Sequence, residues 1–155
     1  MVRALEPADL AAASALLARS WARTYLDTIA PDQQPTAEEH EAHLTSTDSR
    51  GWVFDLDGQV AAVALVTELS SDDPELSAFH VDPPAQGAGV GTQLHAHLLD
   101  ELKAEGHARL HLWVFDENLH ARAFYEARGW REAGTQADRP ERCSIAPATR
   151  LDRTL

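Results

Sequence analysis

One stretch of this sequence combines residue types that bind anions. It reads V-D-P-P-A-Q-G-A-G-V-G-T from Val81 to Thr92, with a strand pattern before it and a helix pattern after it. Its glycines, Gly87, Gly89 and Gly91, let a ligand approach the backbone without interference from side chains. The first N–H groups of a helix lack intrahelical partners, and the helix dipole makes that end positive. The segment therefore predicts a phosphate or pyrophosphate site.

A glycine-rich turn of this kind is not unique to anion sites. Glycines occur between strands and helices for geometry alone, so the segment is not decisive by itself. A P-loop requires Lys and then Ser or Thr after its last glycine, whereas Gly91 is followed directly by Thr92. A dinucleotide-binding fingerprint starting at Gly89 requires a third glycine where Leu94 stands. We set both nucleotide-binding motifs aside.

A second block, N-L-H-A-R-A-F-Y-E-A-R-G-W, runs from Asn118 to Trp130. The two blocks together resemble the GNAT superfamily of acetyltransferases, whose signatures are Q/R-x-x-G-x-G/A and N-x-x-A-x-x-F-Y-x-x-x-G-F/W. The resemblance extends from Val2 to about Gly134. It implies an α/β protein with the GNAT acyl-CoA N-acyltransferase fold, in one domain over residues 1–155. That fold has a mixed central sheet of about 6–7 strands flanked by about 4 helices.

The resemblance also implies the co-substrate, acetyl-coenzyme A. Coenzyme A would lie where the strands ending at Val81 and Phe115 separate, with its pantetheine arm paired to the backbone near Val81. Many relatives carry Arg or Lys inside the turn, whereas Gly87 and Ala88 stand there in this chain. Backbone groups would therefore hold more of the pyrophosphate charge. The implied cofactor-binding residues are Val81, Gln86, Gly87, Ala88, Gly89, Gly91, Thr92, Asn118 and Tyr125.

Tyr125 is the predicted general acid. An amine that attacks the thioester expels a thiolate, and a phenol with an ordinary pKa of about 10 is protonated at neutral pH and able to donate to it. The alternative is that Phe124 and Tyr125 only fill the core. Asn118 is suited to cap the following helix, and in the family it also approaches the cofactor.

The amine must lose a proton before it attacks. Some relatives use a glutamate six positions before the valine that Val81 matches, and Glu75 occupies that position. We therefore predict Glu75 as a catalytic residue. His80, next to the same valine, is the alternative, since its ordinary pKa of about 6.5 suits a base. Glu68 is a third candidate, and many relatives need no single base.

The surrounding pattern predicts the elements that position these residues. Val2 to Leu5 is typical of a short strand, and the next helix carries Leu10, Ala13, Leu17 and Trp21 as a buried stripe. Thr36 and Glu39 form a capping box for a second helix. The following segments complete the prediction: a hairpin from Trp52 to Val66 turning at Asp57-Gly58, a strand from Glu75 to Val81, a helix with Val90, Leu94, Leu98 and Leu102 on one face, a strand from Leu110 to Phe115, a helix from Leu119 to Arg128, and two weak strands after Trp130.

Composition limits the classes of partner. The chain has 155 residues and a net charge of −12, from 25 acidic and 13 basic residues. Such a charge repels nucleic acid and attracts cationic amines. The sequence contains one cysteine, no apolar run of membrane-spanning length and no signal-peptide pattern, so we expect a cytoplasmic protein that does not bind membranes. No histidine spacing resembles a metal site, so we expect no metal.

The predicted function is transfer of the acetyl group of acetyl-CoA to a primary amine by direct attack in a ternary complex. The acceptor is a small molecule or a protein amine, which the sequence does not identify. The main alternative is a non-catalytic acyl-CoA-binding module. A third hypothesis is a homodimeric interaction protein assembled through the tail. Trp21 and Tyr25 lie where family members build the acceptor pocket, although a buried helix stripe is the better explanation of both.

Overall fold

A seven-stranded mixed sheet forms the centre of the protein in a computed structural model that describes residues 1–155. The strand order is β1-β2-β3-β4-β5-β7-β6, and only the pairing of β4 with β5 is parallel. The strands are β1 (Val2–Ala4), β2 (Ser49–Leu56), β3 (Gln59–Thr67), β4 (Glu75–Val81), β5 (Arg109–Phe115), β6 (Arg131–Glu132) and β7 (Ala148–Thr154).

Helices cover both faces of the sheet. They are α1 (Leu10–Thr24), α2 (Ala37–Leu44), α3 (Val90–Ala104) and α4 (Leu119–Glu126). α1 and α2 pack on one face through Ala13, Leu16, Leu17 and Leu44. α3 and α4 pack on the other, where the predicted stripe Val90, Leu94, Leu98 and Leu102 is buried. The layers are therefore helix, sheet and helix, and the predicted GNAT-type α/β architecture is confirmed.

Local signals determine several element ends. The predicted hairpin turns at Asp57 and Gly58, which adopt φ values of 54° and 82°, as a tight two-residue turn requires. The capping box of α2 is formed, because the hydroxyl of Thr36 accepts the N–H of Glu39 and the carboxylate of Glu39 accepts the N–H of Thr36. Both predictions are confirmed.

Strands β4 and β5 diverge almost from their start. Their only register pair is Glu75 with His111, at the beginning of β4. A bulge in β4 also leaves Ser77 without a partner on β3, since Leu65 pairs with Ala78 and Val66 with Leu76. The extra residue shifts the alternation of side chains by one position. As a result His80 faces α1, where it contacts Ser20, while Val81 packs toward α3.

The structure differs from the sequence expectations at a few ends. A short 3-10 turn over Pro7–Asp9 precedes α1, and Leu10 and Trp21 are only partly buried. α4 ends at Glu126 rather than Arg128, because the left-handed Gly129 (φ 89°) turns the chain toward β6. No helix has both the length and the apolar character that crossing a membrane requires.

Candidate active site

The turn before α3 presents a row of free backbone donors. The N–H groups of residues 87–92 donate to no backbone or side-chain acceptor in the protein. Gly87 and Gly89 hold φ values of 82° and 78°, and Gly89 is the N-cap of α3. In this conformation successive N–H groups remain unpaired at the N-terminal end of α3, a helix of 15 residues whose dipole makes that end positive. The turn is therefore well suited to bind an anion.

Close packing explains the third glycine. A Cβ at Gly91 would lie 3.2 Å from the Cγ2 atom of Val81 and 3.7 Å from Phe124. The first of these spacings is tighter than ordinary van der Waals contact, so a side chain at position 91 would push α3 away from β4. Gly91 thus keeps the helix start against the strand end.

An open groove of about 420 Å³ runs from this turn to the gap between β4 and β5. It is lined by every predicted cofactor-binding residue except Ala88. Ala88 is exposed, so it contributes only its backbone N–H to the turn. Gln86 lies at the rim, and its side-chain amide donates to the carbonyl of Val81 at 3.2 Å. The sequence did not predict Ser20, Thr24 and His120, which also line the groove.

Tyr125 presents a free hydroxyl to this groove. Its ring is buried, with centroids 5.6 Å from Trp130 and 6.2 Å from Phe79. The hydroxyl makes no hydrogen bond within the protein, and the protein does not enclose it completely. Burial is the main cause that raises the pKa of Tyr125 above its usual value, and the charge of Tyr25 has a smaller effect in the same direction. The phenol is therefore protonated at neutral pH and free to donate.

Asn118 serves both as a cap and as a link between two walls of the site. Its carbonyl oxygen accepts the N–H of Ala121 at 3.1 Å, which caps α4, as the sequence predicts. Its amide nitrogen donates to the hydroxyl of Tyr25 at 3.1 Å, which ties α4 to the end of α1.

A second cavity, of about 450 Å³, opens on the α1 side of the sheet. We call it the acceptor chamber. Its walls come from α1, α2, β4, β5 and the loop before β7, and include Trp21, Tyr25, Trp113 and Phe115. The chamber and the groove share five lining residues, Phe79, His80, Asn118, Ala121 and Tyr125. The two cavities therefore meet at Tyr125 and its neighbours.

His80 stands at this junction. Its Nδ1 atom lies 2.8 Å from the hydroxyl of Ser20, and its Nε2 atom has no protein partner. Burial, with a smaller effect from His40, lowers the pKa of His80 to about 4. The imidazole is therefore neutral at pH 7.

Residues 15–130 match the sequence model of a protein family described as the acetyltransferase (GNAT) family. This range contains both motif blocks and most of the residues that line both cavities. The chain belongs to the GNAT acetyltransferase family. Among curated proteins, it is 42% identical over 76 residues to the [ribosomal protein bS18]-alanine N-acetyltransferase of Escherichia coli strain K12, covering 49% of this chain and 51% of that protein. It is 38% identical over 88 residues to the mycothiol acetyltransferase of Beutenbergia cavernae, covering 56% of this chain and 30% of that protein. The chain thus spans about half the length of the first relative.

Solved GNAT structures match over the whole chain. The PaiA N-acetyltransferase of Thermoplasma acidophilum, in complex with coenzyme A, gives a TM-score of 0.82 at 15% identity, covering 100% of this chain and 98% of that one. The ribosomal-protein-S18-alanine N-acetyltransferase of Escherichia coli gives 0.75 at 29% identity, covering 100% and 92%. These matches establish the GNAT fold.

Glu75 lies away from this GNAT site. It begins β4, is buried, and lines neither the groove nor the acceptor chamber. Its carboxylate is in direct contact with the guanidinium of Arg142 and lies 3.7 Å from the Nε2 atom of His111. The structure thus places Glu75, predicted as a base acting directly or through water, outside the lining of both cavities and in contact with Arg142, which does line the chamber.

Several chamber residues carry no recognisable signal in the sequence. His40 and His43 come from α2, Trp113 from β5, and Arg142 from a short turn in the tail. They meet only in the folded chain. No group of three or more His, Cys, Asp or Glu side chains is arranged to hold a metal ion.

Proposed function

We propose that this protein transfers the acetyl group of acetyl-coenzyme A to a primary amine, by direct attack in a ternary complex. The observation that carries the proposal is the unpartnered hydroxyl of Tyr125, which lies where the anion-binding groove meets the apolar chamber. Coenzyme A would place its pyrophosphate on the free N–H groups of residues 87–92 and its thioester near Tyr125. The amine would enter from the chamber.

The chemistry requires one proton to leave the amine and one to reach the sulfur. The lone pair of the neutral amine attacks the thioester carbonyl carbon, a C–N bond forms, and the C–S bond then breaks. Tyr125 donates its proton to the departing sulfur, which leaves as the thiol of coenzyme A. The proton lost by the nitrogen goes to a base or to water, and the tyrosinate regains a proton from solvent.

His80 is the side chain best positioned to receive the amine proton. When its Nδ1–H donates to the hydroxyl of Ser20, the lone pair is left on Nε2, and the His80 side chain lines both cavities. The low pKa of His80 makes it a weak base, so it would pass the proton on to water rather than hold it. Ser20 would act as a positioning residue, since its hydroxyl determines which imidazole nitrogen is free.

Glu75 fits a different role. The carboxylate contacts Arg142, whose side chain lines the acceptor chamber, and it would stabilise the guanidinium there. We therefore propose that Glu75 positions Arg142 and takes no proton from the amine.

The alternative is a GNAT protein that binds acyl-coenzyme A without turnover. A thiol-release assay with acetyl-coenzyme A and a panel of primary amines separates the two. The proposal expects amine-dependent release of coenzyme A and an N-acetylated product by mass spectrometry. Binding of coenzyme A without product from any amine would favour the binding module.

The roles of His80 and Glu75 are tested by His80→Gln and Glu75→Gln in the same assay. We expect His80→Gln to lower kcat about tenfold or more below pH 8, where little of the amine is neutral, and to have less effect at pH 9. Glu75→Gln should leave the pH dependence of kcat unchanged. A Glu75→Gln variant with a tenfold loss that is recovered at high pH would return the base role to Glu75.

A further inference from the structure

The buried walls of the acceptor chamber contain almost no free charge. Apart from histidines, the only acidic or basic residues that line it are Glu39 and Arg142. Glu39 is exposed to solvent and accepts the N–H of Thr36 at 2.8 Å, and Arg142 contacts Glu75. The acidic residues that give the chain its net charge of −12 therefore lie largely outside this chamber.

The histidines of the chamber are also uncharged at neutral pH. Burial is the main cause that lowers the pKa values of His40, His43 and His80, to about 4 for the latter two. No buried side chain of the chamber thus carries a negative charge that could neutralise a second ammonium group on the acceptor. A buried ammonium without a counter-charge is strongly unfavourable, because it loses its hydration without compensation.

Aromatic rings occupy the end of the chamber beside the junction. Trp21 lies 4.8 Å from Tyr25 and 5.7 Å from Phe115 between ring centroids, and Tyr25 lies 5.4 Å from Phe115. Trp21 also stacks near His80, at 6.5 Å and an interplanar angle of 29°. The Tyr25 hydroxyl binds Asn118, which lines both cavities. The body of the acceptor would therefore contact ring faces and edges immediately behind its reacting nitrogen.

We propose that the acceptor is a monoamine whose amine is joined by a short chain to a flat, aromatic body. This inference rests on the proposed acetyl transfer and specifies its substrate class. Edge and face contacts with Trp21, Tyr25 and Phe115 favour an aromatic body over an aliphatic one of equal size. The absence of a buried carboxylate disfavours diamines and polyamines that would have to bury a second ammonium group.

The test is a panel of matched amines with the intact chain and saturating acetyl-coenzyme A. 2-Phenylethylamine and 2-cyclohexylethylamine differ in aromaticity at similar size. n-Hexylamine and 1,5-diaminopentane differ in one terminal group, a methyl against an ammonium. We expect kcat/KM to fall in the order 2-phenylethylamine, 2-cyclohexylethylamine, n-hexylamine, 1,5-diaminopentane. The first and the last should differ about 100-fold. A diamine equal to n-hexylamine would overturn the proposal, as would spermidine or a peptide with an N-terminal alanine exceeding 2-phenylethylamine tenfold.

A Trp21→Leu variant tests the ring contact directly. We expect KM for 2-phenylethylamine to rise about tenfold, while KM for acetyl-coenzyme A and for n-hexylamine stays within twofold. An equal rise in KM for 2-phenylethylamine and n-hexylamine would assign Trp21 a general packing role and count against the proposal. The matched amine panel needs only the unmodified chain, so the inference stays testable if the variant does not fold.

Failure of the proposed activity has a separate signature. If no amine releases coenzyme A, acetyl transfer is wrong, and calorimetric titration of the same amines into the protein–coenzyme A complex then tests the chamber. Binding of 2-phenylethylamine at least tenfold tighter than 1,5-diaminopentane would still support the inferred ligand class. Equal or tighter binding of the diamine, or no detectable binding of either amine, would reject it.

Discussion

Replacing Tyr125 with Phe removes a single hydroxyl at the junction of the groove and the acceptor chamber. The Tyr125 ring makes the packing contacts, with centroids 5.5 Å from Phe124 and 5.6 Å from Trp130, while the hydroxyl bonds to no protein group. The substitution therefore keeps the packing and leaves no buried polar partner unsatisfied. We expect the melting temperature to change by less than about 2 °C.

The catalytic effect of Tyr125→Phe should be much larger. Loss of a positioned general acid costs about 100-fold or more in rate, which corresponds to about 2.7 kcal/mol in the activation barrier. The loss should appear in kcat, since in the proposed mechanism the hydroxyl would act on the sulfur only as the C–S bond breaks, while KM for acetyl-coenzyme A should stay within about twofold. Steady-state thiol release with saturating acetyl-coenzyme A measures kcat, and a titration of acetyl-coenzyme A measures its KM.

The chain offers a matched control, because it contains only one other tyrosine, Tyr25. In Tyr25→Phe the amide of Asn118 loses the hydroxyl it donates to at 3.1 Å. We therefore expect a stability loss of about 1 kcal/mol and a smaller loss of kcat than in Tyr125→Phe. A Tyr125→Phe enzyme with kcat within threefold of the unmodified chain would refute the general-acid role. A large fall in its melting temperature would show that the hydroxyl is structural.

Three further predictions concern the cofactor turn, pH and the start of β4. Arg128 donates to the hydroxyl of Thr92 at 2.7 Å, beside the anion-binding turn. Arg128→Gln should therefore raise KM for acetyl-coenzyme A about fivefold with little change in kcat. The control is Arg122→Gln, which changes an arginine paired with an exposed carboxylate of β6 and should leave this KM unchanged. Burial lowers the pKa of His95 to about 4. Between about pH 6.5 and 4 the imidazole therefore binds a proton in the unfolded chain but not in the folded one, and the free energy of unfolding falls as the pH drops. In urea titrations, His95→Gln should make that fall shallower by up to about 1.4 kcal/mol per pH unit. Glu75→Gln should lower the melting temperature, because the contact between its carboxylate and a guanidinium loses its charge.

The cofactor half of the site could be predicted from sequence because its residues are close together in the chain. The turn from Gln86 to Thr92 and the block from Asn118 to Tyr125 each form one local structure. The glycine positions, the cap and the free N–H groups follow from local backbone chemistry. The alternation of strand and helix patterns predicts an α/β domain with a mixed sheet in two or three layers, and the packing of helices on both faces decides for three.

The acceptor half could not be predicted in the same way. Trp21 fits a helical stripe and is equally suited to a buried or a cavity position, and the packing of α1 against β5 determines which it takes. The contact of Glu75 with Arg142 joins residues far apart in the chain, so no local pattern reveals that the carboxylate is occupied. The bulge at Ser77 reverses which side His80 faces, and nothing in the residue types around it indicates an extra residue.

The contrast between an acidic protein and a nearly uncharged chamber indicates how an amine becomes reactive here. The net charge of −12 attracts ammonium ions from solution, whatever their structure. Inside the chamber the same ammonium meets ring faces and neutral histidines, and desolvation favours its neutral form. In the proposed mechanism the chamber itself would lower the pKa of the acceptor amine, so that a weak base such as His80 would be sufficient without a carboxylate at the reacting nitrogen. Attraction and deprotonation would thus be separated in space: the outer surface would attract the ammonium ion, and the buried, uncharged walls of the chamber would promote loss of its proton.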